Sequence, residues 1–113
     1  MNREALLSNA ELEEELKSLQ GWKVEEGKRI VKSYLFPTFP DAVAFVNRVA
    51  ETAEAMNHHP FISIDYRRVT LRLTTWNSGG LTQLDIDSAK AYDGWSINEK
   101  ENVNENEKVK ENE

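Results

Sequence analysis

The sequence predicts an α+β fold: a four-stranded antiparallel sheet with three helices packed on one face, in the order α-β-β-α-β-β-α. Three observations carry that expectation. Residues 62–66 and 69–74 alternate apolar and polar side chains with the period of a half-buried strand. Between Ala42 and Met56 apolar residues recur at helical spacing instead. Two capping boxes, Ser8 with Glu11 and Thr82 with Asp85, mark the starts of two further helices.

The first helix opens at Ser8, where each side chain of the box can satisfy a free backbone N–H and Leu7 and Leu12 stand as a hydrophobic staple. Leu12, Leu16 and Leu19 form a narrow apolar stripe, and Gly21 is the expected stop. Trp22 and Val24 then alternate with polar residues up to a turn at Glu26-Gly27. A strand follows from about Arg29 to Phe36, with Ile30, Tyr34 and Phe36 on one face. Lys32 interrupts that face, which predicts an edge or a partly wet surface.

Pro37 and Pro40 end the strand, and Asp41 can cap the second helix. Ala42, Phe45, Val46, Val49, Ala50, Ala53 and Met56 make its apolar stripe. That stripe is wide enough to cover a sheet and leave apolar surface for another subunit. Asn57, His58, His59 and Pro60 close the helix. Ile62, Ile64 and Tyr66, then Val69, Leu71 and Leu73 after Arg67-Arg68, predict a hairpin with one buried and one polar face. Its turn lacks Asn-Gly or Asp-Gly. Gly79-Gly80 loosens the chain before the third helix, with Leu81 and Ile86 as staple. Ile86, Ala89 and Tyr92 face inward there, and Gly94-Trp95 suit its end.

The 113 residues fit one domain with one core, expected over residues 1–95. The balance of 39% hydrophobic and 30% charged residues is that of a soluble globular protein. No apolar run approaches the roughly 18 residues of a membrane span. Residues 96–113 hold six Glu, three Lys and only Ile97, Val103 and Val109 as apolar side chains. So little apolar surface cannot offset the entropy of ordering, and this segment reads as an acidic, disordered tail. The net charge of −6 argues against nucleic-acid binding, which needs Lys and Arg to neutralise phosphates. Without cysteine, disulfides, thiolate metal sites and a cysteine nucleophile are excluded. The N-terminal residues lack the apolar stretch of a secretory signal, so the expected location is cytoplasmic.

The chain's two histidines, His58 and His59, stand side by side before Pro60. Histidine's ordinary pKa lies nearest neutrality, so it can both give and take protons. Neighbours on a regular helix point about 100° apart, but at a helix end followed by proline both can turn into one cleft. Read alone, the pair equally suits a C-terminal cap whose charge complements the helix dipole. A metal site is not expected, since without a cysteine or a third histidine the third ligand would have to be a carboxylate.

The segment Glu54-Ala55-Met56-Asn57-His58-His59-Pro60, followed at fixed intervals by Tyr66, Trp76 and Asp85, resembles the signature of the pterin-4a-carbinolamine dehydratases. Gly21-Trp22, Ala44 to Ala50 and Gly79-Gly80-Leu81-Thr82 also look like that family, so the resemblance runs from about Leu12 to Trp95. It implies loss of water from a 4a-hydroxytetrahydropterin to give the quinonoid dihydropterin, with no cofactor. Carried over by position, His58 and His59 become the catalytic acid and base, with Glu54 holding an imidazole one turn back. Pro60 would fix the turn that aims the histidines. Thr75 would offer backbone groups to the pterin's amide edge. Trp76 stands where many members of the family have a third histidine; it can donate a hydrogen bond and pack on a pterin but cannot shuttle protons. Tyr66, facing the core, and Asp85, in the capping box, are expected to be structural. The apolar second helix and an exposed sheet edge lead to the expectation of a homodimer or homotetramer. The competing reading is a non-catalytic pterin-binding or protein-interaction module.

Overall fold

In the computed structural model, which describes residues 5–96, the chain forms α1 (Asn9–Leu16), β1 (Lys23–Glu25), β2 (Arg29–Leu35), α2 (Phe39–Met56), β3 (Phe61–Asp65), β4 (Arg68–Leu73) and α3 (Gln83–Gly94). A short 3-10 turn, Trp76–Ser78, follows β4. The strands make one antiparallel sheet in the order β1-β2-β4-β3, so the predicted α+β architecture holds. The segment read as an acidic tail lies outside the described residues from Ile97 onward. No helix among the described residues is long and apolar enough to cross a membrane.

Register explains where the core sits. Ile30 pairs with Leu73 and Tyr34 with Val69, which puts the large apolar residues of β2 and β4 on one face. Phe45 of α2 covers them, its ring 4.6 Å from Tyr34 and 4.9 Å from Phe36. Ala42, Val49 and Ala53 continue the buried stripe of α2, and Ile86, Ala89 and Tyr92 that of α3. Each large side chain so enclosed contributes on the order of 1.5–3 kcal/mol. Burial also pushes the Tyr92 phenol up to about 12, because its oxygen has left water and the Asp85 charge lies near.

Both capping boxes form as predicted. Other expectations need correction. The first helix ends at Leu16, not at Gly21; tight turns carry the chain on, and Leu19 is buried beyond the helix. Gly21 serves a turn at φ +85°, where a Cβ would also press on the Lys32 side chain. The second helix is capped by Thr38, whose hydroxyl accepts from the Asp41 N–H, and Pro40 is accommodated in the first turn, where no intrahelical donor is missed. Lys32 is not at an edge: β2 lies between β1 and β4, and the ammonium is drawn inward by Asp93. The hairpin is one-sided only on β4. On β3, Ile62 and Ile64 are exposed, and Tyr66 sits in the turn at φ +56° with 71% of its surface open. All five residues of this edge strand are exposed.

Candidate active site

The end of α2 sets the geometry. Asn57 takes the left-handed conformation (φ 53°, ψ 42°), which asparagine tolerates better than most residues. The His58 N–H then reaches back to the Ala53 carbonyl at 3.0 Å while Asn57 bonds to Glu54 and Ala53. This closure reverses the chain within one residue. It sends successive side chains in different directions: His58 inward and His59 outward.

His58 is 9% exposed, and its Nε2 lies 2.7 Å from Oδ1 of Asp85, a residue with no exposed surface. Asp85 Oδ2 accepts from the Thr75 hydroxyl at 2.8 Å and from the Thr82 N–H at 2.9 Å. The two threonine hydroxyls are 2.8 Å apart. Proton directions follow from counting donors. Thr75 has one hydroxyl proton and gives it to Asp85, so Thr82 must donate to Thr75, while Thr82 Oγ1 accepts from the Leu84 N–H. Every neighbour thus points a donor at Asp85, which suits a carboxylate, and His58 completes the set through Nε2–H. Nδ1 of His58 makes no hydrogen bond among the described residues.

His59 is the open member. Its Nε2 lies 2.7 Å from Oε2 of Glu54, both side chains being more than half exposed. Glu54 therefore holds an imidazole, but that of His59, because the break at Asn57 carries His59 back alongside the last helical turn. Pro60 leads straight into β3, whose first residue, Phe61, meets Trp76 edge-on at 6.2 Å. Trp76 is 76% exposed, a rim aromatic with an open indole. The Thr75 backbone, expected to face a ligand, is engaged inside its own loop: its N–H donates to Gly80 and its carbonyl accepts from Ser78 and Gly79. Thr75 joins the site through its hydroxyl instead.

The structure thus gathers His58 and Thr75 around Asp85, and places His59 with Glu54 and Trp76 with Phe61. The capping-box pattern alone predicts a structural role for Asp85. It does cap the Thr82 N–H, but with one oxygen, and the other binds His58. The available signal was stoichiometric: a capping carboxylate uses one oxygen and leaves a second to be satisfied if the residue is buried. Among the described residues no three His, Asp or Glu side chains gather as a metal-ligand set.

Comparison with known proteins matches residues 5–95 to the family model described as pterin 4 alpha carbinolamine dehydratase. The chain belongs to the pterin carbinolamine dehydratase family. A relative from Roseiflexus sp. (strain RS-1), provisionally named pterin-4-alpha-carbinolamine dehydratase, is 53% identical over 87 residues, covering 77% of this chain and 92% of its own. A provisionally named dehydratase from Sulfurisphaera tokodaii is 44% identical, also over 87 residues, at 77% and 92% coverage. Among solved structures, a transcriptional coactivator/pterin dehydratase from Brucella melitensis superposes with a TM-score of 0.78 at 34% identity, covering 80% of this chain and 98% of that one. A pterin dehydratase-like RuBisCO assembly factor of the alpha-carboxysome, at 19% identity and a TM-score of 0.60, shares the fold.

Proposed function

We propose that this protein is a hydro-lyase that dehydrates a 4a-hydroxytetrahydropterin to the quinonoid dihydropterin by histidine acid–base catalysis. The observation that carries this reading is the His58–Asp85 pair, which commits Nε2 and leaves Nδ1 as the working nitrogen. A buried carboxylate fixing an imidazole's orientation and tautomer is what general acid–base work requires. In the reaction His58 in its cationic form, keeping Nε2–H on Asp85, gives the Nδ1 proton to the 4a-hydroxyl, the C4a–O bond breaks, and water leaves with the bonding pair, which returns the neutral Nε2–H imidazole. The N5 lone pair forms the C4a=N5 double bond, and a ring N–H proton passes to a base. His59, steadied by Glu54 at the open rim, orients the pterin or takes that proton. Trp76 and Phe61 offer aromatic surface to the flat ring, and Pro60 joins the histidine segment to that platform. Tryptophan at position 76 supplies no proton, so proton transfer rests on the two histidines and ordinary water.

The edge strand supports self-association. β3 presents Phe61, Ile62 and Ile64 beside unpaired backbone groups, a surface that a dimer or tetramer would cover. The same surface, with the coactivator named in the Brucella structure, supports the second reading of a non-catalytic interaction module. The deciding experiment is an assay of dehydration on both 4a-hydroxyl stereoisomers with wild type, His58→Ala and His59→Ala. Loss of acceleration in His58→Ala is expected. Binding of pterin without acceleration by wild type would establish the module reading, and unchanged acceleration in both variants would remove the histidines from the mechanism.

A further inference from the structure

A hollow of about 140 Å³ opens between the β1–β2 turn and the end of β4, lined by Lys28, Arg29, Thr74, Thr75, Trp76 and Gly79. It shares Thr75 and Trp76 with the site described above but neither histidine. Its wall is tied in place, because the Thr74 hydroxyl donates to the Lys28 carbonyl at 2.6 Å across the strand ends. At about 30 Å³ per water, the space would hold a carboxylate or phosphate with its first carbon atoms.

The charges around it do not cancel. Arg29 is bridged to Glu25 at 2.9 Å and Glu26 at 3.1 Å, and Arg72 also binds Glu25, so both carboxylates near the turn are engaged. The Lys17, Lys32 and Lys90 ammonium groups each have a carboxylate, whereas Lys23 and Lys28 have none among the described residues, and of these two only Lys28 lines the hollow. The Trp76 indole N–H likewise makes no hydrogen bond there. An uncompensated ammonium, a free indole donor and an aromatic wall form one hollow in a chain whose net charge is −6. Trp76 also touches Phe61, next to the histidine segment, so a ligand could lie against both sides of this residue.

From these features we infer that the hollow is a subsite for an anionic group, a carboxylate or phosphate ester, on the side chain of the pterin handled at His58. The inference rests on the pterin reading and adds the class of substrate: reduced pterins with a charged side chain are preferred over neutral ones. The cation attracts the anion, the indole N–H and ammonium donate to its oxygens, and the Trp76 ring packs on the linking carbons.

Calorimetry on the full chain would compare neutral 6-hydroxymethylpterin with its phosphate ester and with 6-carboxypterin, with inorganic phosphate as competitor. At least one anionic pterin is expected to bind about five- to tenfold more tightly than the neutral one, with the advantage shrinking as salt is raised. In Lys28→Glu, an exposed turn substitution, the advantage should vanish while the neutral pterin binds as before; Lys28→Gln should fall between. Phosphate should displace the anionic pterin's advantage and leave the neutral one alone. Equal affinities in wild type, a preference that survives Lys28→Glu, or phosphate binding that leaves the anionic pterins unaffected would each overturn the inference. If the neutral pterin binds and its carbinolamine is dehydrated while no preference appears, only the subsite fails. If no pterin binds, the underlying reading fails and the subsite with it.

Discussion

Helix α3 carries a three-donor carboxylate at each end, and the two do different things. At its start Asp85 gathers Thr75, the Thr82 N–H and His58. At its end Asp93 gathers the Trp22 indole N–H, the Lys32 ammonium at 3.0 Å and the Tyr34 hydroxyl at 2.7 Å. Asp93 sits at the unfavourable end of the helix dipole, and the Lys32 charge offsets that cost. Both clusters lock the helix to the sheet. Only Asp85, however, has among its donors a group with a second nitrogen left over. Indole, ammonium and phenol meet Asp93 with the only proton-bearing atom each possesses, whereas the imidazole binds with Nε2 and keeps Nδ1. A buried carboxylate cluster thus becomes a catalytic candidate through its partner, and the burial of the carboxylate alone does not distinguish the two.

The largest expected effect breaks this comparison most directly. Asp85→Asn replaces an acceptor by an amide that must turn a donor toward either His58 or the threonines. The dehydration kcat should fall on the order of a hundredfold, within the range assigned to a positioned acid or base. Asp93→Asn should leave kcat within about twofold and lower stability by about 1–3 kcal/mol, the usual cost of disturbing hydrogen bonds to a charged group. Steady-state kinetics and thermal melts on the pair check both statements. Equal losses of activity in the two variants would mean that the clusters are merely structural alike.

Thr75 sharpens the same contrast at smaller amplitude. Thr75→Val keeps the shape but removes the hydroxyl donor to Asp85 Oδ2 and the acceptor for Thr82. A loss of about tenfold in kcat and about 1 kcal/mol in stability is expected, since one net hydrogen bond is worth roughly that much. Thr75→Ser should restore kcat. If valine lowers stability but leaves kcat and its pH profile untouched, Thr75 serves packing only. Glu54→Gln tests the open histidine. His59 and Glu54 are both exposed, so their pair is worth under about 1 kcal/mol. The expected change is a twofold to fivefold fall in kcat/KM, read from initial rates.

The sequence made the architecture legible because period-two and helical patterns and both capping boxes agree on it. It misplaced details where tertiary context outweighs local pattern. Ile62, Ile64 and Tyr66 alternate as a buried strand should, yet β3 is an edge strand exposed along its length and Tyr66 lies in the turn beyond it, and no local signal reports which strand ends up at the edge. Lys32 reads as a possible edge residue because its partner, Asp93, is 61 residues away along the chain. The expectation that both imidazoles turn into one cleft fails, since His58 bonds inward to Asp85 and His59 outward to Glu54. The candidate site was legible as the segment His58-His59-Pro60 with its spaced companions. Its inner half was not, because Asp85 and His58 are 27 residues apart and the cap at Asp85 already gave that carboxylate a sufficient local role. The left-handed turn at Asn57, which separates the two imidazoles, lies hidden in a residue that also ends helices without consequence.

The smallest expected effect comes from a third carboxylate, the most open of the set. Glu25 Oε1 accepts from Arg72 Nε at 3.0 Å and Arg29 Nε at 2.9 Å, joining β1, β2 and β4 on the sheet surface. The hydrogen bonds from Arg72 and then Arg29 hold its carboxyl below the ordinary value of 4.5. A depressed carboxyl stabilises the fold above the unfolded-state pKa, and the contribution is lost as pH falls through the lower folded-state value. Glu25→Gln should therefore melt slightly below wild type from neutral pH down to about 5. The gap should narrow beneath 4.5 as the wild-type carboxyl takes up its proton, and close in stronger acid. It should also shrink in high salt, since the group is open to solvent. A gap that stays constant from pH 7 to pH 2 would assign Glu25 a packing role. The ordering by burial, from Asp85 through Asp93 to Glu25, would then not describe how these carboxylates act.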